Sequence, residues 1–88
     1  MAHIILFQDR NFNGNHRHIF VDEPNLRRVN TSWLHDELSS FVVLEGTWMF
    51  FRDKDFGVPA WGPFGPGLYP WVEDFGIPND SVSSLKPV

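Results

Sequence analysis

The hexapeptide Phe7-Gln8-Asp9-Arg10-Asn11-Phe12 recurs 44 positions later as Phe51-Arg52-Asp53-Lys54-Asp55-Phe56. A second pair of segments has the same offset, because the first hexad, His35-Asp36-Glu37-Leu38-Ser39-Ser40, recurs as the second hexad, Asn79-Asp80-Ser81-Val82-Ser83-Ser84. Two separate matches with one offset are hard to obtain by chance, and 44 is half of the 88 residues. The sequence therefore predicts two copies of one supersecondary unit.

The segments around these repeats are typical of β-strands. Residues 3–7, 17–21, 38–44 and 47–51 are rich in β-branched, aliphatic or aromatic side chains and end in polar turn residues. Proline and glycine recur about every ten residues, the turn spacing of a sandwich or barrel, and the best helical candidate is one short turn at 32–36. We therefore predict an all-β single domain over residues 1–88, with two Greek key motifs at about 1–44 and 45–88 packed as a β-sandwich.

Packing the two halves together should bury the apolar face that each half alone would expose. The predicted core comprises Leu6, Phe20, Phe41, Val43, Trp48, Phe50 and Val82.

Residues 57–70 contain eight glycines or prolines in fourteen positions. We interpret them as a structured connection between strands, rather than as a flexible linker or a polyproline ligand. Gly65-Pro66-Gly67 would form a tight turn, with Trp61, Phe64 and Tyr69 against the sheets.

Composition narrows the range of partners. The net charge is −4 with only seven lysines and arginines, which argues against binding a phosphate backbone. The chain has no cysteine, so disulfides and thiol chemistry are excluded. The apolar run near the N-terminus is too short for a signal peptide, and nothing approaches a transmembrane span. We expect a cytoplasmic protein, although a trimmed domain of a secreted protein would have the same sequence features. We also expect either a monomer or a weak homodimer.

The polar hexads carry the candidate chemistry. Carboxylate and hydroxyl groups surround one apolar anchor in each hexad, Leu38 in the first and Val82 in the second, and Asn79 adds an amide to the second. Hard oxygen ligands of this kind suit calcium, which takes six to eight of them. The alternative is that these side chains form local Asx and serine turns that cap a strand. The hexads are not EF-hands, because no twelve-residue loop with the required glycine and closing glutamate is present.

Several motifs together resemble a βγ-crystallin domain over nearly the whole chain. They are the Phe7-x6-Gly14 hairpin motif, the two D-x-x-S-S hexads, the Gly46-Thr47-Trp48-Met49-Phe50 strand start, the Gly65-Pro66-Gly67-Leu68-Tyr69 turn and Gly76-Ile77-Pro78. The chain is more similar to the single-domain microbial and invertebrate members than to the two-domain lens proteins. The resemblance implies two Greek keys that bind two Ca2+ ions, each ion held in a double clamp shared by the two hexads.

The resemblance also implies which residues hold each ion. Each clamp would combine a hexad carboxylate, the carbonyl of the next residue, a serine hydroxyl of the other hexad and a hairpin carbonyl. These ligands are Asp36, Glu37 and Ser83 for one ion and Asp80, Ser81 and Ser39 for the other, with Gln8 and Arg52 as the hairpin residues. Which hairpin carbonyl serves which ion stays open at this point. Few protein ligands and several waters predict modest affinity, about micromolar to near-millimolar.

Two positions depart from the family pattern. The first hexad begins with His35, where the family has Asn or Asp, and an imidazole is a poor ligand for calcium. The hairpin glycine Gly14 becomes Val58 in the second half, preceded by Gly57. A β-branched residue disfavours positive φ, so the second hairpin must bend differently or store strain.

Two other classes of function remain as alternatives. Trp33, Trp61 and Trp71 could form an aromatic platform of a carbohydrate-binding module. Enzymatic activity has little support, because we interpret the carboxylates Asp53, Asp55, Glu73 and Asp74 as charges on a solvated sheet face.

Two histidines form a further candidate metal-binding pattern, separate from the predicted calcium ligands. His16 and His18 alternate on one face of a strand, a spacing that can bind zinc. Because no third ligand is visible in the sequence, we interpret them as solvent-facing side chains.

Overall fold

The computed structural model describes residues 2–26, 38–79 and 81–88. Within these ranges the chain forms seven β-strands and two short 3-10 turns. The strands are β1 (His3–Asp9), β2 (Asn13–Ile19), β3 (Ser40–Glu45), β4 (Trp48–Asp53), β5 (Gly57–Phe64), β6 (Gly67–Tyr69) and β7 (Ser84–Pro87), and the turns are Arg10–Phe12 and Val72–Phe75. The helical turn predicted at 32–36 lies outside the described residues.

The strands form two antiparallel sheets, which confirms the predicted all-β fold. One sheet has the order β2-β1-β3-β6 and the other the order β5-β4-β7. Strand β6 comes from the second half of the chain but pairs with β3 in the first sheet. In the opposite direction, Glu23 of the first half forms an isolated bridge with Leu85 of β7. Each half therefore contributes a segment to the sheet of the other half.

The hairpins β1–β2 and β4–β5 turn in the same way. Asn11 and Phe12 have φ of 58° and 62°, and the residues 44 positions later, Asp55 and Phe56, have φ of 56° and 61°. Asn and Asp adopt this left-handed region more readily than most residues. The hairpins differ after the turn, because Gly14 has φ of 79° while Val58 does not have positive φ. The second hairpin thus accommodates its β-branched residue by a different bend.

The core lies between the two sheets. The buried hydrophobic side chains are Ile4, Leu6, Ile19, Leu26, Leu38, Phe41, Val43, Trp48, Phe50, Phe51, Val72, Ile77, Val82 and Leu85. Six of the seven predicted core residues are among them. The ring of Phe41 lies 4.6 Å from that of Phe50 and stacks on Tyr69 at 4.5 Å, centroid to centroid. Aromatic packing across the sheets therefore fills much of the interior.

The predicted burial of Phe20 is wrong. Its side chain is 47% exposed, whereas the preceding Ile19 is 6% exposed. Successive side chains of a strand face opposite sides of the sheet, so the inward position of Ile19 directs Phe20 outward. The exposed ring of Phe20 stacks on His3 with centroids 4.3 Å apart.

The glycine- and proline-rich segment 57–70 is largely strand. It supplies β5 and β6, and β5 lies at the edge of its sheet, where Pro59 and Pro63 interrupt fewer hydrogen bonds. The predicted contacts of its aromatic residues are confirmed, because Trp61, Phe64 and Tyr69 pack against the core. The Tyr69 hydroxyl donates a 2.7 Å hydrogen bond to the Gly65 carbonyl, which braces the crossing from one sheet to the other.

Candidate metal-binding site

Ser40, the last residue of the first hexad, ties that hexad to the first hairpin. It is fully buried. Its Oγ donates a 2.6 Å hydrogen bond to the Asp9 carbonyl and accepts one of 3.1 Å from the Phe12 N–H. A single hydroxyl therefore satisfies one backbone group on each side of the left-handed turn.

Ser84 makes the same pair of hydrogen bonds in the second half. Its Oγ donates to the Asp53 carbonyl at 2.6 Å and accepts from the Phe56 N–H at 3.1 Å. Sequence reasoning missed this role for Ser40 and Ser84. The sequence signal for this role was the Ser-Ser pair that ends both hexads. A clamp that uses one of these serines leaves the hydroxyl of the other without an assigned role.

Ser39 is held by backbone from both halves of the chain. Its N–H donates to the Phe7 carbonyl at 3.0 Å, and its carbonyl accepts from the Val72 N–H at 2.9 Å. Its Oγ donates a 3.2 Å hydrogen bond to Asn79 Oδ1. The structure thus brings the serine of the first hexad to the first residue of the second hexad.

Ser83 has the corresponding backbone contacts. Its N–H donates to the Phe51 carbonyl at 2.9 Å, and its carbonyl accepts from the Leu26 N–H at 2.8 Å. Leu26 belongs to the first half of the chain and is fully buried. Each fifth-position serine is therefore positioned by one strand of its own half and one segment of the other half.

The second hexad is further ordered by two local contacts. The Asn79 N–H donates to Glu73 Oε2 at 3.2 Å, and the Ser81 hydroxyl donates to the Pro78 carbonyl. Glu73 also borders an open depression of about 350 Å³, together with Gly76, Ile77 and Pro78. A carboxylate therefore lies beside the start of this hexad.

The predicted hairpin ligands lie next to the two serines. Gln8 follows Phe7, which bonds Ser39, and Arg52 follows Phe51, which bonds Ser83. Their side chains interact elsewhere: Gln8 Oε1 accepts from Asn15 Nδ2 at 2.9 Å, and Arg52 Nε lies 3.5 Å from Asp53 Oδ1. Main-chain carbonyls, rather than these side chains, are the groups that suit the predicted role.

The predicted carboxylates Asp36 and Asp80, with His35 and Glu37, lie outside the described residues. Within the described part of the chain, no group of three or more His, Cys, Asp or Glu side chains is arranged to hold a metal ion. The donors that are described at the hexads are hydroxyl, amide and carbonyl oxygens. This donor set fits a hard cation such as calcium.

The structure also bears on the alternative sites. Trp61 and Trp71 are partly buried and pack against the core, and the Arg10 guanidinium lies over the Trp71 ring at 4.7 Å from its centroid. Trp33 lies outside the described residues.

The four carboxylates considered for catalysis, Asp53, Asp55, Glu73 and Asp74, are exposed. In the ranges that the structure describes, no helix is long and apolar enough to cross a membrane.

Comparisons with known proteins agree with this architecture. The family model described as Beta/Gamma crystallin matches residues 3–88. The beta/gamma-crystallin of Ciona intestinalis is 35% identical over 86 residues, which cover 98% of each chain. A solved structure of a Ciona intestinalis beta gamma crystallin has a TM-score of 0.88 at 32% identity, covering 98% of this chain and 99% of that one.

Two archaeal structures extend the comparison. A betagamma-crystallin from an archaeon has a TM-score of 0.87 at 34% identity, covering 99% of this chain and 98% of that one. A betagamma-crystallin from Methanosaeta thermophila, described as transition-metal-ion-binding, has a TM-score of 0.82 at 34% identity, covering 96% and 98%. The predicted resemblance is confirmed: the chain belongs to the beta/gamma-crystallin family.

Proposed function

We propose that this protein is a non-catalytic calcium-binding domain that holds two Ca2+ ions in clamps shared by its two hexads. The observation that carries the proposal is the 3.2 Å hydrogen bond from Ser39 Oγ to Asn79 Oδ1. It joins oxygen-bearing side chains of the two hexads across 40 residues of sequence. An ion bound at this junction would contact both halves at once.

The backbone contacts support a specific set of ligands for each ion. Because Ser39 bonds the strand that contains Gln8, one site would combine the Ser39 hydroxyl with the carbonyls of Gln8 and Ser81 and the carboxylate of Asp80.

By the same reasoning, Ser83 bonds the strand that contains Arg52. The other site would combine the Ser83 hydroxyl with the carbonyls of Arg52 and Glu37 and the carboxylate of Asp36. This pairing assigns each hairpin carbonyl to one ion, a choice that the sequence left open.

The chemistry of the donors selects calcium for these clamps. Oxygen ligands suit Ca2+, whereas imidazole and thiolate ligands favour transition metals. The description of the Methanosaeta relative supports metal-ion binding as the class of function, and the hexads of this chain supply the oxygen donors that make calcium the preferred ion there.

Calcium binding would act through the stability of the fold. Ser39 and Ser83 keep their positions only while segments of both halves are packed together, so the ion binds the folded state in preference to the unfolded state. At about 100 times the dissociation constant, one site adds roughly 2.7 kcal/mol to the free energy of unfolding. Small domains have a total of about 5–15 kcal/mol, so two ions would make a large difference to this protein.

The test is calorimetric titration of the metal-stripped protein with CaCl2, followed by thermal melting with and without the ion. We expect two binding events and a higher melting temperature. Ser39→Ala and Ser83→Ala should each weaken one event, because each removes one ligand hydroxyl. Ser81→Ala is the matched control, since it removes a hydroxyl from the same hexad but keeps the carbonyl that is the proposed ligand.

The result that would overturn the proposal is equally direct. If the Ser39→Ala/Ser83→Ala double variant kept both binding events and the full shift in melting temperature, the serine hydroxyls would not hold calcium. A single event in the unaltered protein would show that only one clamp is functional, and the serine variant that abolishes the event would identify that clamp.

A further inference from the structure

One row of side chains crosses all four strands of the first sheet on the side away from the core. His18 of β2 pairs with Ile5 of β1, Ile5 with Val42 of β3, and Val42 with Leu68 of β6. Their strand neighbours face the core, so this row and the positions two residues along face away from it. We call these positions the outer face: His3, Ile5, Phe7, His16, His18, Phe20, Val42, Leu44 and Leu68.

The outer face is exposed and carries no formal charge. Phe20 is 47%, Leu44 46% and Leu68 67% exposed. The chain has seven lysines and arginines and eleven aspartates and glutamates, yet none of them occupies a position of the outer face. Apolar surface that is contiguous and exposed in this way marks an interaction site more often than it marks a solvated surface.

Aromatic contacts hold part of the outer face in a fixed arrangement. His3 Nε2 and His18 Nδ1 lie 2.8 Å apart. The Phe20 ring stacks on His3 at 4.3 Å between centroids and lies nearly parallel to His18 at 6.3 Å. At the other end, the Phe7 ring lies 5.8 Å from His16. Because these rings are already ordered, a partner would remove little side-chain entropy when it binds them.

The second half of the chain covers the equivalent phenylalanine of its own sheet. Phe51, which lies 44 positions after Phe7, is only 8% exposed. Lys86 Nζ lies 5.8 Å from the centroid of the Phe51 ring and 4.9 Å from that of Phe56. Lys86 occupies the position equivalent to Val42, so the second sheet has a cation where the outer face has an aliphatic side chain.

The counterpart of Phe20 is also covered. Phe64 lies 44 positions after Phe20 and packs against the core, and Ala60 replaces the His16 ring. The repeated unit can therefore form without exposed aromatic rings at these positions. The exposure of the outer face is a feature of the first sheet rather than a requirement of the fold.

The size of the outer face fits a weak dimer. Four strands at about 4.8 Å spacing are about 19 Å wide, and three outward positions along β1 extend over about 20 Å. Contact with a second copy would bury about 400 Å² of flat area on each, before the relief of the side chains is counted. Weak complexes bury less than about 1,200 Å² in total and permanent dimers about 2,000 Å² or more.

The chemistry of the outer face favours a second copy over other partners. Anionic membranes attract clusters of lysine and arginine, which the outer face lacks in a chain of net charge −4. A partner with charged contact residues would have to bury them against uncharged side chains, which is costly. A second copy presents the same apolar surface, and a two-fold axis places each patch against its own equivalent.

We propose that the outer face of the β2-β1-β3-β6 sheet is a self-association surface, through which two copies of this chain form a weak symmetric dimer. The row of His18, Ile5, Val42 and Leu68 lies at the centre of the contact. The contact needs no metal ion, so it is independent of the proposed calcium sites.

The test is sedimentation velocity of the full chain in EDTA over a range of protein concentrations. We expect a reversible monomer–dimer equilibrium with a dissociation constant of about 0.1–1 mM, in the range of weak complexes. Added NaCl should leave the dimer unchanged or strengthen it, because salt screens the repulsion between two chains of equal net charge. In nuclear magnetic resonance spectra, the amides of Ile5, Val42 and Leu68 should shift with protein concentration.

Matched variants locate the contact. Leu68→Glu should weaken the dimer at least tenfold, because two carboxylates would be buried in one apolar contact, and Phe20→Glu should act in the same direction. Val58→Glu is the control, since Val58 is 75% exposed on β5 of the other sheet and should leave association unchanged. Equal melting temperatures would show that the variants are folded, and the concentration-dependent shifts of the unaltered protein test the same face without a variant.

Several results would overturn the proposal. One is a protein that stays monomeric at millimolar concentration, whether or not it then binds phosphatidylcholine vesicles. Another is a dimer that Val58→Glu abolishes and folded Leu68→Glu does not, which would place the contact on the other sheet. Association that requires CaCl2 would place it at the hexads, and a dimer that NaCl dissociates would depend on charges that the outer face does not have.

Discussion

The two halves of the molecule make the same interior hydrogen bonds beneath different outer surfaces. Ser40 and Ser84 bridge their hairpins with matching distances. On the outside, His16 of the first hairpin faces solvent where the second hairpin has Ala60. The repeat therefore preserves the groups that fix the backbone, and the side chains that the fold does not need are free to differ in chemistry.

The halves are also joined by an exchange of loop contacts. The Asn11 N–H donates to the Pro70 carbonyl at 2.9 Å, and the Asp55 N–H donates to the Pro24 carbonyl at 2.6 Å. A loop of each half thus satisfies the hairpin of the other half. Separating the halves would break both hydrogen bonds and expose the core that lies between the sheets, so neither half should be stable alone.

The largest expected difference between the halves lies in the core. Position 4 is isoleucine and the position 44 residues later is Trp48, and both are fully buried. Trp48→Ala should lower the free energy of unfolding by about 3–5 kcal/mol, as expected when a large buried aromatic side chain is removed. Ile4→Ala should cost less, because it removes fewer buried atoms. Urea denaturation followed by circular dichroism measures both, and an equal cost at the two sites would contradict the larger contribution expected from the buried tryptophan.

The hydrogen bonds of Ser40 and Ser84 give the sharpest test of equivalence. Ser40→Ala and Ser84→Ala should each cost about 1–3 kcal/mol, because each removes a buried hydroxyl that makes two hydrogen bonds of about 0.5–1.5 kcal/mol apiece. The geometry of the two sites is matched, so the two costs should agree within about 0.5 kcal/mol. Chemical denaturation of the metal-free protein is the measurement. Clearly different costs would show that the surroundings of the two serines differ although their hydrogen-bond distances match.

The equivalence was visible in the sequence, but its three-dimensional consequences were only partly so. The offset of the repeats, the strand-like composition of the segments around them and the spacing of the turn residues predicted the sandwich and most of its core. Phe20 was misassigned because a shift of one residue in a strand reverses the face of every side chain, and composition does not fix that register. The glycine- and proline-rich composition of 57–70 predicts a connection between strands, whereas the edge position of β5 tolerates its prolines.

The candidate sites were predictable to the extent that their residues recur. The repeated hexads identified the side chains with candidate oxygen donors. The structure then showed that Ser39 of the first hexad contacts Asn79 of the second. The approach of His3 to His18 depends on strand pairing rather than on spacing, so no local motif signalled it. Main-chain carbonyl ligands are harder still to predict from the sequence, because every residue has a carbonyl group and only the fold determines where that group lies.

Exchange of residues between the hairpins tests the backbone difference. Gly14→Val should destabilise the protein by about 1–2 kcal/mol, because a side chain at φ of 79° is strained. A Cβ atom there would also lie 2.5 Å from Asp9 Oδ2. Val58→Gly should cost about 0.5–1 kcal/mol through chain entropy alone. If Gly14→Val were neutral in thermal melting, the two hairpins would not differ in the way that their φ angles indicate.

The smallest expected effects come from exchanging the first residues of the hexads. Asn79→His should weaken calcium binding a few-fold at one site, because it removes the Oδ1 atom that accepts the hydrogen bond from Ser39. His35→Asn should strengthen binding a few-fold at the other site, because an oxygen-bearing side chain replaces an imidazole in a clamp for a hard cation. Calorimetric titration resolves both changes. If both exchanges left both calcium affinities unchanged, the first hexad residue would lie outside the influence of the ion.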